Sequence, residues 1–472
     1  MRPARFELRP AAVAAALAGA LLLTLTTAHS APAAPAPTAP TAASRVTAKV
    51  TQSSVWDGGY GADVTVANDG DATANGWTIE FDLPAGTTVT SHWSATRSRQ
   101  GQHYRFTNVS YNATVAPGGR QSFGFNAAGT GLPLNCTVNG LPCDGGTPPT
   151  DPPTEPPAGD TPVAVNGQLK VCGTKLCNRH GNPIQLRGMS THGTQWYAQC
   201  LTSGSLDALA KDWKADILRV STYVQEDGYE TDPARFTQLA NTLIQQASDR
   251  GMYVIVDWHM LDPGDPNLNL DRARKFFTDI ANRNKGRNNI LYEIANEPSG
   301  VAWSRIKSYA EQIIPVIRGI DSDAPVLVGT RAWSSLGVSE GADESEVVNN
   351  PVNASNIMYT FHFYADSHRD EYLAALSRAA DRIPMFVTEF GTQNYAGEGA
   401  DDFAMSQRYL DLMANKKISW TNWNFSDDHR SGAVFTPGTC ANGGPWAGTS
   451  SLKPAGVWIR DRIRTPDTFP TG

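Results

Sequence analysis

A proline-rich segment divides this chain before any secondary structure is considered. Residues 146–162 read GTPPTDPPTEPPAGDTP, a composition that cannot bury a core and favours extended polyproline geometry. At about 3.1 Å per residue, such a segment can hold its flanks up to roughly 50 Å apart. Residues 31–43 contain only Ala, Pro and Thr and form a second linker. The chain therefore divides into a small domain, residues 44–145, and a large domain, residues 163–466.

Residues 1–30 have the parts of a secretory signal peptide. Arg2, Arg5 and Arg9 precede an apolar run over residues 11–28, and Ala28-His29-Ser30 offers a small-residue cleavage site. A membrane anchor is the alternative, but the run is short for a bilayer and is followed by Pro and Ala. We expect cleavage and secretion, with no membrane attachment of the mature chain.

The composition narrows the class of partner. The 39 basic and 46 acidic side chains give a net charge of −7, which argues against nucleic acid. The chain has 12 Trp, 14 Tyr and 16 Phe, and such rings stack well on the apolar faces of a ligand such as a sugar.

The six cysteines are even in number, as expected for disulfides in an oxidising compartment, and their spacing lacks the paired Cys-x-x-Cys of a zinc site. Two pairs would close short loops and leave a third by elimination, although the sequence alone does not fix the connectivity. These pairs are Cys136 with Cys143, Cys172 with Cys177, and Cys200 with Cys440.

No metal site or cofactor is predicted. Residues 262–271 carry alternating oxygen-bearing side chains, which hint at calcium. The segment lacks the glycine placement and the closing Glu of an EF-hand loop. We interpret it as a structured loop of the substrate cleft.

The small domain has the pattern of an all-β sandwich. Short alternating segments at 62–66, 77–83 and 121–126 are separated by turn clusters such as Asn68-Asp69-Gly70-Asp71. No helical periodicity and no constellation of His, Cys and acidic residues accompanies them. The pattern is typical of a binding module rather than of an enzyme.

The large domain alternates apolar strand-like runs with helical patterns. A helix between the second and third runs has apolar residues at i, i+3 and i+4 spacing from Phe236 to Ala247 and ends at Gly251. Eight such runs in about 300 residues predict an α/β fold of the (β/α)8 TIM-barrel type rather than an open sheet. The runs are residues 184–190, 215–221, 252–259, 290–296, 325–329, 357–364, 385–391 and 418–425.

The active site of such a barrel lies at the C-terminal ends of its strands, so polar residues that end the apolar runs are the candidates. Two carboxylates among Arg, His, Asn, Tyr and Trp, without a nucleotide or phosphate motif, favour acid/base and nucleophilic chemistry on a neutral substrate. Glycoside hydrolysis uses such a pair of carboxyl groups. The candidates are Arg219, His259, Asn296, Glu297, His362, Tyr364, Glu389 and Trp423.

Glu293 is a competing acid on the fourth run. At about 3.3 Å per residue it should lie roughly 13 Å deeper along the strand than Glu297. We interpret it as a buried partner for an arginine.

Several motifs of the large domain resemble those of family 5 glycoside hydrolases, specifically secreted bacterial endoglucanases. They cover nearly the whole domain and include YEIANEP at 292–298, VTEFG at 387–391, VDWH at 256–259, FHFY at 361–364, RGMSTHG at 187–193 and SWTNWN at 419–424. The resemblance implies a retaining mechanism with Glu297 as acid/base and Glu389 as nucleophile, supported by the other six candidates. It also implies that glucose subsites are lined by His192, Trp196, Tyr223, Trp333 and His368.

The small domain resembles a family 2 carbohydrate-binding module through WDGGY at 56–60, GWT at 76–78, SHWSA at 91–95 and SYN at 110–112. By that resemblance Trp56, Trp93 and Tyr111 stack on crystalline polysaccharide, whereas Trp77 lies in the core. The third ring is Tyr where the family often has Trp, and the frequent N-terminal Cys is missing. The pair Cys136 and Cys143 is similar to modules attached to some chitinases, so chitin is a second ligand to consider.

These observations predict a secreted endo-β-1,4-glucanase that acts as a monomer on cellulose and related β-glucans. The alternatives are an endo-acting hydrolase of mannan, xyloglucan or mixed-linkage glucan, because loop contacts select the glycan, and a non-catalytic polysaccharide-binding protein.

Overall fold

The structure is a computed structural model, and it describes residues 46–84, 86–139, 141–143, 159–466 and 468–471. The predicted signal peptide, the linker at 31–43 and residues 146–158 of the proline-rich linker lie outside these residues. Among the residues described, no helix is both long and apolar enough to cross a membrane.

Residues 46–143 form the predicted β-sandwich. One sheet has the strand order β1-β2-β9-β5 and the other β11-β10-β4-β7-β6, while β3 and β8 form a short ribbon. The strands are β1 (Val46–Trp56), β2 (Gly59–Asn68), β3 (Ala74–Asn75), β4 (Thr78–Asp82), β5 (Thr88–Trp93), β6 (Ala95–Gln100), β7 (His103–Asn108), β8 (Thr114–Val115), β9 (Arg120–Ala128), β10 (Leu134–Val138) and β11 (Leu141–Pro142).

Strand alternation builds the sandwich core. Along β2, Tyr60, Ala62 and Val64 are buried at every second position, as a strand with one core-facing side requires. Trp77 is 1% exposed and stacks on Phe123 with 5.3 Å between ring centroids. The Trp77 indole N–H donates to the Asn112 carbonyl over 2.8 Å, so Trp77 is a core residue, as predicted.

The large domain contains a closed barrel of eight parallel strands, which confirms the predicted fold class. A small hairpin of β12 (Lys170–Cys172) and β13 (Lys175–Cys177) precedes it, and β21 pairs with β14 to close the barrel. The barrel strands are β14 (Arg187–Ser190), β15 (Ile217–Tyr223), β16 (Tyr253–His259), β17 (Ile290–Glu293), β18 (Val326–Val328), β19 (Ile357–Tyr364), β20 (Met385–Gly391) and β21 (Trp420–Trp423).

Helices cover the outside of the barrel. The predicted helix is α4: Asp232 caps it by accepting a hydrogen bond from the Arg235 N–H, Pro233 begins it, and its apolar side is buried. The helices are α1 (Pro162–Asn166), α2 (Thr194–Tyr197), α3 (Ser203–Lys211), α4 (Pro233–Asp249), α5 (Leu270–Asn284), α6 (Trp303–Arg318), α7 (Arg331–Ser334), α8 (Ser345–Asn349), α9 (Asp370–Ala380), α10 (Phe403–Lys416) and α11 (Pro454–Ile463).

All six cysteines form disulfides, in the pairing considered from the sequence. The bonds join Cys136 to Cys143, Cys172 to Cys177 and Cys200 to Cys440. Cys200 lies in the turn that follows α2, and Cys440 lies in the loop after β21. Their disulfide therefore joins two loops on the side of the barrel where the strands end.

Candidate active site

Strand periodicity sends two kinds of side chain into the barrel. Ile217, Ile255 and Leu291 belong to one apolar cluster. Two positions later on the same strands, the buried side chains are Arg219, Asp257 and Glu293. The interior therefore changes from an apolar floor to a charged layer toward the strand ends.

Arg219 holds this charged layer together. Its Nε donates to Glu293 Oε2 over 2.7 Å, its Nη1 to Glu389 Oε2 over 3.0 Å, and its Nη2 to Asn296 Oδ1 over 2.6 Å. Nη2 also lies 3.0 Å from Asp257 Oδ2. Burial disfavours the cation, but the three carboxylates outweigh it and raise the pKa of Arg219 above its usual value.

Glu389 accepts two hydrogen bonds that favour its ionised form. Besides the bond from Arg219, the Tyr364 hydroxyl donates to Glu389 Oε1 over 2.7 Å. Burial raises the pKa of Glu389, but the charges of His362 and Arg219 and the bond from Tyr364 together lower it below its usual value. Such a carboxylate suits a nucleophile.

A β-bulge in β20 directs Glu389 into the barrel. Thr360 of β19 pairs with Phe386, whereas His362, two residues on, pairs with Glu389, so β20 contains one extra residue. Both Thr388 and Glu389 consequently face the interior, where Thr388 Oγ1 donates to Glu293 Oε1 over 2.7 Å.

Glu297 follows β17 and lies beside His362. His362 Nδ1 is 2.8 Å from Glu297 Oε1, and its Nε2 is 2.9 Å from Thr388 Oγ1. Burial raises the pKa of Glu297, and the charge of Glu389 raises it further against the opposing effect of His362. Burial lowers the pKa of His362, but its bonds to carboxylates outweigh this and raise it to about 9.

The two candidate carboxylates are close to each other. An oxygen of Glu297, an oxygen of Glu389 and a ring nitrogen of His362 all lie within 4.8 Å of one another. A retaining glycosidase places its carboxyl groups about 5–5.5 Å apart, whereas an inverting enzyme leaves about 6.5–9.5 Å for a water molecule. The arrangement has the proximity of a retaining pair.

Glu293 is a buried partner of an arginine, but the predicted depth is wrong. Its carboxylate is 3.8 Å from His362 Nε2, so a single imidazole ring separates it from Glu297. The estimate assumed a regular strand as far as Glu297, whereas β17 ends at Glu293. Arg219 lowers the pKa of Glu293 to about 2 against the opposing effect of burial.

His259 is held as a neutral ring. Its Nδ1 is 2.6 Å from Asp257 Oδ2, and the Asn296 amide nitrogen lies 3.3 Å from its Nε2. Because that amide can only donate, Nε2 accepts and Nδ1 carries the proton. Burial and the nearby Arg219 cation lower the pKa of His259 to about 3.

Aromatic rings line one side of the site. Tyr223 stacks on His259 with 4.1 Å between ring centroids. Trp423 stacks on His259 at 5.3 Å and packs against His192 at a tilted angle, with 5.1 Å between centroids. Trp196 contacts Tyr223 edge-on at 5.0 Å and is 39% exposed. These five rings form a continuous wall with one open indole face.

The remaining two predicted cleft residues lie on other loops. Trp333 follows β18 and is 45% exposed. His368 follows β19, accepts a hydrogen bond from the Tyr364 N–H at Nδ1 over 3.0 Å and stacks on Tyr372 at 4.2 Å. Burial lowers the pKa of His368 to about 4.

The contacts thus connect all eight candidates from the strand ends in one site. Asp257 and Thr388 were missed because each lies within an apolar strand rather than at its end. Strand alternation is the one sequence signal that could have identified them: Asp257 lies two residues before His259, and Thr388 lies two residues after Phe386, so each faces the same side as that residue.

The residues of the site are already engaged with one another, which leaves little for a metal. Glu297, His362 and Glu389 offer three ligand atoms within 4.8 Å. His362 Nδ1 bonds Glu297, however, and both Glu389 oxygens accept hydrogen bonds from neighbours. In the loop at residues 262–271, whose oxygen-bearing side chains hint at calcium, the Asp265 carboxylate instead pairs with Arg305 over 2.8 Å.

The sandwich carries a separate group of exposed aromatic rings. Trp56 ends β1 and Trp93 ends β5, the outer strands of one sheet, and they are 46% and 44% exposed. Glycines lie beneath both: a Cβ at Gly59 would be 2.6 Å from Trp56 Nε1, and one at Gly124 would be 2.2 Å from Trp93 Cζ2. The third exposed ring of the sandwich is Tyr111, which is 72% exposed.

The turn that carries Tyr111 is fixed to the end of β5, because the neighbouring Asn112 amide donates to the Ser94 carbonyl over 2.8 Å.

Comparison with known proteins bears on both domains. Residues 177–429 match the cellulase family, glycosyl hydrolase family 5, and residues 46–143 match the cellulose binding domain family. The chain is 57% identical over 466 residues to Endoglucanase E-5 of Thermobifida fusca, covering 97% of each protein. It is 53% identical over 435 residues to Endoglucanase CelA of Streptomyces lividans, covering 91% of this chain and 94% of that protein.

Solved structures match the barrel. The catalytic domain of Thermobifida fusca endoglucanase Cel5A has 64% sequence identity and a TM-score of 0.64, covering 65% of this chain and 100% of that one. A Glu-to-Gln variant of that domain in complex with cellotetraose matches with the same values. The chain therefore belongs to glycosyl hydrolase family 5, with an N-terminal cellulose-binding module of family 2 joined to its barrel.

Proposed function

We propose that this chain is a retaining endo-β-1,4-glucanase in which Glu389 is the nucleophile and Glu297 is the acid/base. The observation that supports this most is the pair itself. Two carboxylates with oxygens within 4.8 Å have pKa values moved in opposite directions, Glu389 downward and Glu297 upward. One fold thus holds one group ready to attack and the other ready to donate a proton.

In the first step, Glu389 attacks the anomeric carbon of the bound glucan. Glu297 gives its proton to the glycosidic oxygen as the bond from that oxygen to the anomeric carbon breaks. The leaving chain departs as a free alcohol, and a covalent glycosyl ester remains on Glu389. The Glu389 charge is neutralised in that ester, which removes the main charge that raises the pKa of Glu297.

In the second step, the ionised Glu297 takes a proton from water. The resulting nucleophile attacks the anomeric carbon from the face that the leaving group vacated, and the bond to Glu389 breaks. Two inversions give a product with the original β configuration. Glu297 ends protonated and Glu389 ionised, so the site is reset.

Arg219, Tyr364 and Asn296 support these steps. Arg219 and Tyr364 direct donors at Glu389 and orient the oxygen that attacks. The Asn296 amide nitrogen makes only long contacts, 3.3 Å to His259 Nε2 and 3.4 Å to the Met260 carbonyl. The amide can therefore exchange its long bond to the Met260 carbonyl for one to the sugar hydroxyl beside the reacting carbon, a contact that strengthens as charge develops.

The cleft and the module would bind the polymer. Glucosyl units pack against the cleft residues predicted from the sequence, of which Trp196 and Trp333 offer exposed ring faces. Trp56, Trp93 and Tyr111 would adhere to insoluble cellulose, with chitin as a second candidate ligand. The relatives named above are endoglucanases, which supports cellulose over mannan as the substrate of this chain.

The chain would act outside the cell as a monomer after cleavage of residues 1–30. Three disulfides support an oxidising compartment.

Release of reducing sugar from carboxymethyl cellulose, mannan and barley mixed-linkage glucan tests the proposed substrate. We expect the β-1,4-glucan substrates to be cut and mannan to be inert. Glu389→Ala should abolish turnover. Mannan hydrolysis at the rate of cellulose, or no hydrolysis of any glycan by the wild type, would contradict the proposal.

A further inference from the structure

The loop after β18 contains an unusual run of left-handed residues. Ala332, Trp333 and Ser334 have φ values of 59°, 57° and 55°, and Leu336 follows at 59°. For residues with a Cβ this conformation is disfavoured, and it persists only where surrounding contacts hold it. Ala332, Ser334 and Leu336 are buried, so Trp333 is the residue of this run that faces solvent.

The contacts that hold this turn lead to the candidate acid/base. The Trp333 N–H donates to the Pro298 carbonyl over 3.0 Å, and the Ser334 hydroxyl donates to the Asn296 carbonyl over 2.6 Å. These two carbonyls belong to the residues on either side of Glu297. The turn is therefore hydrogen-bonded to the backbone on both sides of Glu297.

Buried groups on and next to neighbouring strands hold Ser334 in place. Ser334 Oγ accepts hydrogen bonds from Thr360 Oγ1 over 3.0 Å and from the Thr330 N–H over 3.3 Å, which fixes its only proton toward Asn296. Gly329 permits the close approach, because a Cβ there would be 2.2 Å from the Ala295 carbonyl. A mobile loop would have none of these fixed partners.

The far side of the turn is anchored as well. Arg331 Nε donates to Glu340 Oε2 over 2.8 Å, and Arg331 Nη1 donates to Glu346 Oε1 over 2.6 Å. Glu340 Oε1 in turn accepts from the Gly300 N–H over 2.9 Å. The turn is thus a rigid bridge between the exposed Trp333 ring and the segment that carries Glu297.

We propose that Ser334 is a positioning residue for the acid/base: its hydroxyl fixes the Glu297 backbone and couples the carboxyl group to the Trp333 platform. The inference depends on the proposed role of Glu297 in protonating the leaving oxygen. The sugar that departs must lie next to Glu297, and Trp333 is the exposed ring fixed to that same segment. Loss of the hydroxyl should misplace the acid without changing the nucleophile.

Aryl cellobiosides separate these two effects. A dinitrophenolate leaves without protonation, whereas a phenolate needs the acid, so the ratio of kcat/KM for the dinitrophenyl and phenyl substrates reports how well Glu297 is placed. Glu297→Ala is the reference and should raise this ratio by about 10²- to 10⁴-fold. Ser334→Ala should raise it by at least about tenfold through partial loss of the same contribution. The kcat/KM of Ser334→Ala for the dinitrophenyl substrate should stay near the wild-type value.

Ser334→Gly guards against a folding defect, because glycine adopts the left-handed conformation freely while lacking the hydroxyl. It should raise the ratio as Ser334→Ala does. Ser335→Ala is the matched control: Ser335 is equally buried, but its hydroxyl donates to the Ala332 carbonyl within the turn, so the ratio should stay unchanged.

An unchanged ratio in both Ser334 variants, alongside a raised ratio in Glu297→Ala, would overturn the positioning role alone. An unchanged ratio in Glu297→Ala would instead overturn the proposed acid/base and this inference with it.

Discussion

The Arg219 guanidinium lies 3.0 Å from the Glu389 carboxylate, with 0% and 6% of their side-chain surfaces exposed. The same guanidinium also pairs with Glu293 and Asp257, so one cation is surrounded by three acids. A buried charge is costly unless it is paired, and here each member depends on the others. Glu389, the proposed nucleophile, is therefore part of the network that stabilises the barrel interior.

Replacement of Arg219 should destabilise the barrel as well as inactivate it. Arg219→Met leaves the buried carboxylates of Glu293 and Glu389 without their cation, and we expect the free energy of unfolding to fall by about 3–5 kcal/mol. Urea unfolding followed by tryptophan fluorescence measures this. Lys211→Ala removes an exposed ion pair with Asp207 and should change stability by no more than about 1 kcal/mol. Equal stabilities of the Arg219 variant and the wild type would show that the acids are not held as charges.

The pH dependence of kcat/KM should be bell-shaped. Glu389 must be ionised, so activity rises as the pH rises through its lowered pKa. Glu297 must be protonated, so activity falls as the pH rises through its raised pKa. Glu297→Gln assayed on dinitrophenyl cellobioside, which needs no proton, should lose the falling limb and keep the rising one. A falling limb that persists in this variant would assign it to another group.

The aromatic residues of the sandwich should divide by burial into binding and folding residues. Trp93→Ala should weaken adsorption to insoluble cellulose by about 1–3 kcal/mol, by analogy with other stacking contacts, without changing the unfolding temperature. Trp77→Ala removes a ring that is 1% exposed and should destabilise the module by about 3–5 kcal/mol. Adsorption isotherms and thermal melts of both variants distinguish the roles, and swapped results would mean that the binding face is misassigned.

Separation of the two domains should separate their activities. A chain of residues 163–472 should hydrolyse soluble substrate as the full chain does, because the contacts described above for the active site join residues of the barrel domain. Residues 44–145 should adhere to insoluble cellulose alone. Loss of hydrolysis of soluble substrate in the isolated barrel would contradict this modular view.

The fold was predictable from the sequence because its signals are local. Apolar runs such as 357–364 and 385–391 coincide with β19 and β20, and strand ends of a parallel barrel converge by topology. Residues at those ends, such as His259 and Tyr364, could therefore be placed in one site without coordinates.

The rest of the site depends on departures from regular structure. The bulge in β20 puts Thr388 and Glu389 on the same side, which strict alternation forbids. The end of β17 at Glu293 brings that carboxylate within one ring of Glu297, so a depth counted in strand residues fails. The left-handed residues from Ala332 to Leu336 include no glycine, so the sequence does not indicate this conformation. Each feature results from tertiary contacts rather than from local propensity.

The configuration of the first product tests the central claim most directly. Proton NMR of the sugar released in the first minutes of wild-type hydrolysis shows the anomer before mutarotation mixes the two forms. If Glu389 forms a glycosyl ester and Glu297 activates the water that cleaves it, the β anomer appears first and the α anomer grows in slowly. Initial release of the α anomer would contradict the double displacement and the roles of both residues.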